Sequence, residues 1–288
     1  MDIREIIKEL SHDLILDSES IEYEQLRGGT VSKLFLLRTK DGNKYVVKSN
    51  EPQITESEAY YLNIYKNLKL LPNLHFIERS NRYLVYSFID GSTNYERKNK
   101  QELLTTLVQE FINHYKTVPN NVGWGWADET TDSWQSFLLN RIIEANKIIK
   151  SHLKKEDYEL VLNLVKKYKV NDLFIEPYLL HGDLGVHNLI FTNEQLNGVI
   201  DPTPIIGDPL YDLIYTFCSS PDDLSKHTID SASSYLKIER NEINNLTLYE
   251  NVIIGLYLRI GTCIKHHPND LKEYLSSWYY WKNIIKKG

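Results

Sequence analysis

The sequence predicts an α+β protein of two lobes, a small antiparallel sheet carrying one helix followed by a larger, mainly helical part. Three observations predict it. Up to about position 90 the chain passes through short β-rich apolar runs set around one amphipathic stretch. Beyond that point apolar residues recur at helical spacing over long segments. Finally, 288 residues with 42% hydrophobic and 25% charged composition suffice for one large domain or two lobes with a substantial core, and are unlike a disordered chain.

The elements follow in order. IEYEQL (21–26), SKLFLLRT (32–39) and NKYVVKS (43–49) read as strands. DGN at 41–43 reads as a hairpin turn, because Gly42 permits the positive φ such turns require. A helix is expected from about Thr55 to Leu68, then strands at LHFIE (74–78) and RYLVYSF (82–88). The segment Ser87 to Ser92 joins the lobes, which are set at 1–90 and 91–288. Helices are expected over 101–115, 133–149 and 156–168, interrupted by two short apolar runs, NLIF (188–191) and NGVID (197–201). Those runs could pair as a hairpin, returning Asp201 to the neighbourhood of Asn188.

Bulk properties exclude several classes. The net charge of −6 argues against a nucleic-acid partner and is compatible with a cationic small molecule. Cys218 and Cys263 lie on helical segments without metal-like spacing and read as buried free thiols. The N-terminal MDIREIIKELSHDL carries acids in its first turns, and Arg259 interrupts the apolar run from Val252 to Ile264, so neither an export signal nor a membrane span is inferred. A cytoplasmic location fits.

Three stretches carry chemistry. In QLRGGTVSKLFLL, Gly28 and Gly29 fall between strands, either as a plain hairpin turn or as a loop whose backbone N–H groups approach an anion. Lys48 ends the next strand and Glu58 lies on the following helix. A strand-end lysine is ordinarily solvated, but a carboxylate from a neighbouring helix could hold it toward two phosphates as a point charge. In LLHGDLGVHNLIF (179–191), a polar cluster between apolar runs is either a joining turn or a loop that brings Asp183 and Asn188 to one reacting group. The oxygens of Asn188 and Asp201 are hard ligands suited to Mg²⁺, leaving Asp183 to accept a proton.

The order of Gly-rich loop, Lys48, Glu58, HGDLGVHN and VID resembles the protein-kinase-like fold, and HGD in place of HRD resembles the aminoglycoside phosphotransferase family of small-molecule kinases. IDPTPIIGDPLYDL (200–213) is similar to the IDPxPxxGDPxYDL stretch of relatives that phosphorylate streptomycin or hydroxyurea. The resemblance implies ATP or GTP as donor and Mg²⁺ as cofactor, with Asp183 orienting the acceptor hydroxyl and taking its proton. By the same resemblance Asn188 and Asp201 hold magnesium, Lys48 held by Glu58 contacts the phosphates, and Gly28, Gly29 and Thr30 cover the triphosphate. YSFIDG resembles the interlobe hinge, which makes the backbone groups of Ser87 and Ile89 the adenine contacts, while His181, Asp208 and Asp212 brace the catalytic loop. Departures matter. Pro202-Thr203 stands where protein kinases have Phe-Gly, and no Ala-Pro-Glu segment follows, which disfavours a protein-substrate kinase.

The expected function is phosphoryl transfer to a hydroxyl of a small acceptor, cationic ones such as an aminoglycoside-like antibiotic or metabolite included. One alternative is a kinase of a protein-bound group such as a glycated lysine. Another is a nucleotide-binding pseudoenzyme, which retention of Lys48, Asp183, Asn188 and Asp201 opposes. The chain ends in lysines at NIIKKG, where many aminoglycoside-modifying relatives carry acids that hold substrate amines. Asp128, Glu129, Asp132, Asp222 and Asp223 are expected to supply an acidic rim for the acceptor. SSWYYW (276–281) reads as a substrate wall or as core, GWGWADETTDSW (123–134) as a substrate-facing loop or a helix approach capped by Asp132 or Ser133, and His266-His267 as a helix C-terminus.

Overall fold

The computed structural model describes residues 2–12, 21–26, 32–119, 121–167, 176–237 and 245–287. Strands β1 (Glu22–Gln25), β2 (Lys33–Arg38), β3 (Lys44–Ser49), β4 (Leu74–Ile77) and β5 (Tyr83–Ser87) form one antiparallel sheet in the order β1-β2-β3-β5-β4. Gly42 closes the β2–β3 turn at φ +85°, with its N–H donating to Thr39 O at 3.0 Å.

The two-residue period of β3 divides its side chains between two environments. Val47 joins Val85, Tyr83 and Leu37 beneath helix α1 (Ile3–His12), which buries Ile3, Ile6 and Leu10 on that face. Val46 and Lys48 point the other way, toward the cleft between the lobes. The helix expected after β3 is α2 (Pro52–Ile64), which begins and ends earlier than the apolar spacing suggests. Pro52 at its first turn presets the helical φ, and past Tyr65 the chain continues as turns whose leucines prolong the apolar spacing without helical bonding.

The second lobe holds α3 (Lys100–Glu110), α4 (Trp134–Ile149), α5 (Lys155–Lys166), α6 (Leu210–Cys218), α7 (Lys226–Ser233), α8 (Asn245–His266) and α9 (Leu271–Lys287). The helix expected over 101–115 stops at Glu110 and passes into a 3₁₀ turn at Ile112–His114. Four short strands, β6 (Trp124–Trp126), β7 (Glu129–Thr131), β8 (Tyr178–Leu180) and β11 (Ile205–Gly207), form a second sheet in the order β7-β6-β11-β8 that the sequence did not announce. GWGWADETTDSW is therefore a hairpin leading into α4. Ser133 caps that helix by accepting from Ser136 N at 3.0 Å, a bond that stabilises by about 1 kcal/mol.

The expected hairpin of β9 (Leu189–Thr192) with β10 (Gln195–Val199) is present, with Leu189 opposite Val199 and Ile200 N donating to Asn188 O at 2.9 Å. SSWYYW is core. Trp278 and Trp281, three apart on α9, are fully buried, and their indole N–H groups donate to Asp157 Oδ1 at 3.2 Å and Leu224 O at 2.8 Å. Cys218 and Cys263 are buried free thiols, and His266 lies in the last turn of α8. Among the described residues no helix is long and apolar enough to cross a membrane.

The lobes are fastened on two sides of the cleft. Asn197 Nδ2 donates to Asp90 O at 2.8 Å, and at the end of α2 the Tyr65 hydroxyl donates to Leu179 O at 2.6 Å while accepting from Lys116 N at 2.9 Å.

Candidate active site

Lys48 and Glu58 meet in the interior, 4% and 1% exposed, with Nζ to Oε2 at 2.6 Å. The same ammonium reaches Asp201 Oδ1 from the facing lobe. Burial alone would lower the Lys48 pKa, but Glu58 and Asp201 outweigh it and raise it above the ordinary lysine value. Burial pushes Glu58 up to about 6 against the attraction of Lys48, so both stay charged at neutral pH. Asp201 sits at φ +60°, a left-handed conformation that aspartate tolerates better than most residues and that costs of order 1 kcal/mol.

The segment 181–188 is shaped by a glycine and a buried carboxylate. Gly182 has φ +80°, and a Cβ there would lie 2.0 Å from Thr203 O, so no other residue fits. Asp212, at the start of α6 and fully buried, accepts from His181 N at 2.9 Å, Gly182 N at 3.1 Å and the Tyr115 hydroxyl at 2.5 Å. Burial pushes Asp212 up to about 7 against these bonds. The buried His181 ring is held low, about 4, by burial, and its Nε2 lies 3.0 Å from Ile200 O, to which the neutral ring donates. Asp208, also buried, accepts from Leu210 N at 2.9 Å with Oδ1 at the approach to α6.

Asp183 is held from three directions. The Tyr215 hydroxyl donates to its Oδ1 at 2.5 Å, Asn188 Nδ2 donates to its Oδ2 at 3.0 Å, and His187 Nε2 lies 3.3 Å from the same oxygen. Burial would raise its pKa, but the bonds from His187 and Tyr215 outweigh it and hold the carboxyl below the usual range. Its side chain remains about one-third exposed, at 31%, so the charge faces the cleft. Neither His187 nor Tyr215 had been singled out from the sequence. The four-residue step from Asp183 to His187 was the one available signal.

Lys48, Asp183, Asn188 and Asp201 line one open cleft together with Tyr86, Ser87 and Ile89. Ser87 N is taken by Asn73 O at 2.9 Å, whereas the Ile89 N–H has no backbone partner among the described residues. Gly28, Gly29 and Thr30 lie outside the described residues. Asn188 turns its Nδ2 toward Asp183, which leaves the amide Oδ1 as an acceptor, and Asp201 uses Oδ1 on Lys48, which leaves Oδ2. One carboxylate and one amide oxygen fit Mg²⁺, which binds through few protein ligands and completes its shell with phosphate oxygens and water.

A second, narrow pocket lies in the helical lobe between α4, α6 and α8, with space for a small group and not for a whole substrate. Tyr215 lines it and bonds to Asp183, which lines the cleft, so one side chain stands between the pocket and that carboxylate. Its cationic lining is Arg141 and Arg259, which sequence reading passed over. The expected acidic rim is not there. None of Asp128, Glu129, Asp132, Asp222 and Asp223 lines this pocket or the cleft. Asp222 accepts from Tyr95 at 3.0 Å and pairs with buried Lys100 at 3.5 Å, Asp223 accepts from Thr228 at 2.6 Å, and the other three sit exposed around the β6–β7 hairpin.

A small sheet and a helical lobe enclosing a cleft with a buried Lys–Glu pair define the kinase-like two-lobed fold, and solved structures of that class superpose along nearly the whole chain. An aminoglycoside phosphotransferase, APH(4)-Ia, is 15% identical with a TM-score of 0.62, covering 100% of this chain and 99% of its own. A thermostable mutant of that enzyme in ternary complex with ADP and hygromycin B is 16% identical with a TM-score of 0.63, covering 98% of each chain. A provisionally assigned fructosamine-3-kinase from Haemophilus somnus is 21% identical with a TM-score of 0.63, covering 97% and 96%. No curated protein matches by sequence. The family model for fructosamine kinase matches residues 3–226, and the chain belongs to that family. The resemblance to aminoglycoside phosphotransferases thus extends to the shared fold, while the family itself is the fructosamine kinases.

Proposed function

We propose that the protein is an ATP-dependent kinase of ketosamines, sugars joined to an amine through C1, and that it phosphorylates a sugar hydroxyl. The observation that carries this reading is the place of Asp183. It faces the cleft of Lys48, Asn188 and Asp201 on one side and, through Tyr215, the second pocket on the other. An acceptor hydroxyl seated there gives its proton to Asp183 as its oxygen bonds to the γ-phosphorus and the bond to the β–γ bridging oxygen breaks, releasing ADP. Lys48 steadies the phosphates, Ser87 O and Ile89 N–H receive the adenine, and Gly28, Gly29 and Thr30 cover the triphosphate. Asn188 and Asp201 would hold Mg²⁺, which would supply neutralisation of the phosphate charge. His181, Asp208 and Asp212 keep this arrangement in register without touching substrate. Membership of the fructosamine kinase family supports the ketosamine over an aminoglycoside, as does an arginine-lined pocket.

Incubation with ATP, Mg²⁺ and a panel of fructosyl-amines and aminocyclitols tests the reading, with products identified by mass. Phosphorylated ketosamines are expected; transfer to aminocyclitols alone would overturn it. GTP in place of ATP in the same assay decides the donor. For the metal, Asp201→Ala should raise the magnesium concentration needed for half-maximal activity by roughly ten-fold or more, and Asn188→Ala, which loses a neutral ligand, by less. Titration at fixed nucleotide reads the order. Unchanged metal dependence in both variants would remove them from the metal site.

A further inference from the structure

The lining of the second pocket is out of charge balance. Arg141 reaches it from α4 and Arg259 from α8, against the single carboxylate of Asp208, whose Oδ1 is already occupied by Leu210 N at 2.9 Å. Among the described residues neither guanidinium is ion-paired to a carboxylate, and each has a phenol instead. Arg141 donates to the Tyr211 hydroxyl, and Arg259 Nε donates to that of Tyr274 at 3.0 Å. Arg141 is also packed among Trp126, Phe137 and Tyr211, with its guanidinium 5.3–5.7 Å from their ring centres. Burial lowers its pKa, the sign of a cation held away from water without a full counter-charge. A guanidinium has five N–H donors in a planar fork, so most of the donors of both residues remain for a ligand.

We infer that this pocket takes a carboxylate carried on the amine side of the acceptor, so that the substrate is a ketosamine of a free, carboxylate-bearing amine rather than a cationic one. This rests on the ketosamine-kinase reading for the identity of the sugar half. The geometry supplies the rest. Tyr215 lines the pocket and holds Asp183 at 2.5 Å, so a molecule anchored by its anionic end against the arginines extends its sugar hydroxyls toward that carboxylate. Two guanidinium charges against the one lining carboxylate leave the lining net positive, and Asp183 behind Tyr215 offsets part of that charge, which favours a singly charged anion over a dianion. Planar carboxylates also match the arginine fork with two parallel bonds. Aromatic and aliphatic walls from Trp134, Leu138, Ile254 and Leu258 exclude water around the pair and strengthen it.

Three probes test this: fructosyl-glycine, its neutral methylamide, and the analogue with a phosphonate in place of the carboxylate. The wild-type protein is expected to favour fructosyl-glycine over the methylamide by about ten-fold or more in kcat/KM, mostly through KM. Arg259→Met and Arg141→Met should each erode that ratio, and lysine at either position should restore part of it. Damage to the fold lowers both substrates alike and leaves the ratio, which keeps Arg259→Met informative even if the more enclosed Arg141→Met unfolds. Equal use of the two probes by the wild type, an unchanged ratio in the arginine variants, or preference for the phosphonate would overturn the inference. If no ketosamine is phosphorylated, calorimetry of the same probes separates the two ideas. Binding of fructosyl-glycine that depends on Arg259 and is absent for the methylamide keeps the carboxylate pocket and refutes the ketosamine kinase, whereas no such difference refutes the pocket.

Discussion

Asp183→Asn is expected to bind Mg-nucleotide nearly as the wild type does and to transfer phosphate slower by roughly two to four orders of magnitude, the reach of a positioned acid or base. The carboxylate receives the Tyr215 hydroxyl on one oxygen and the Asn188 amide on the other, at 2.5 and 3.0 Å. In the variant one of those donors faces an NH₂ group, and no oxygen is left that can take a proton from an alcohol. The loop itself should stay in place, because its backbone is held by Asp212 through His181 N and Gly182 N. Nucleotide affinity by calorimetry and single-turnover transfer distinguish the effects; equal losses in both would show that Asp183 binds nucleotide instead. The pH profile carries a second check. His187 and Tyr215 hold the carboxyl below its ordinary range, so it stays ionised throughout the neutral region. The stability it gains from them is present above the unfolded pKa and lost only as pH falls through the lower folded value. A loss of activity on acidification to about pH 5–6 must therefore come from another group.

What was legible in the chain was local. Asp183 and Asn188 are five apart in one segment, and Asp201 follows across a hairpin whose two apolar runs are readable as strands. Lys48 was legible as a strand end, and β3 does place it beside Val46 on the cleft face. The groups that orient Asp183 were not. Tyr215, which bonds Asp183, comes from α6, and Tyr115, which bonds Asp212, comes from the turn after α3, each an aromatic that reads as core until the chain is folded. Strands β6, β7, β8 and β11 hold three residues each, too few to display a period of two. The expected acidic rim failed for a related reason. Sequence displays charges but not their partners, and Asp222 proves to answer the buried Lys100, while Arg141 and Arg259 converge on one pocket from helices more than a hundred positions apart.

Asp212→Ala should be the most destabilising single change near the site. It would leave Gly182 N and the Tyr115 phenol buried without an acceptor and His181 N with only the long 3.4 Å bond to Tyr115, where the carboxyl is now fully enclosed. At about 1–3 kcal/mol for each of the two groups left unsatisfied, a loss of roughly 2–6 kcal/mol is expected, a large part of the total stability of a typical domain. Asp212→Asn keeps one acceptor oxygen but turns an amide NH₂ toward a donor, so it should cost less than alanine and more than a surface change. The pH dependence separates charge from hydrogen bonding. Burial pushes the folded-state pKa of Asp212 up to about 7, above the ordinary carboxyl value, so the folded state holds this proton more tightly than the unfolded chain. The stability contributed in that way is fully present below the unfolded pKa of about 4 and is lost as pH rises through about 7. Urea denaturation of the wild type should therefore shift downward relative to Asp212→Asn over that interval, since the amide cannot titrate. A wild-type midpoint in Asp212→Ala would mean that the His181–Gly182 backbone is held by something other than this carboxyl, and the persistence of turnover in such a variant would detach Asp212 from the catalytic loop altogether.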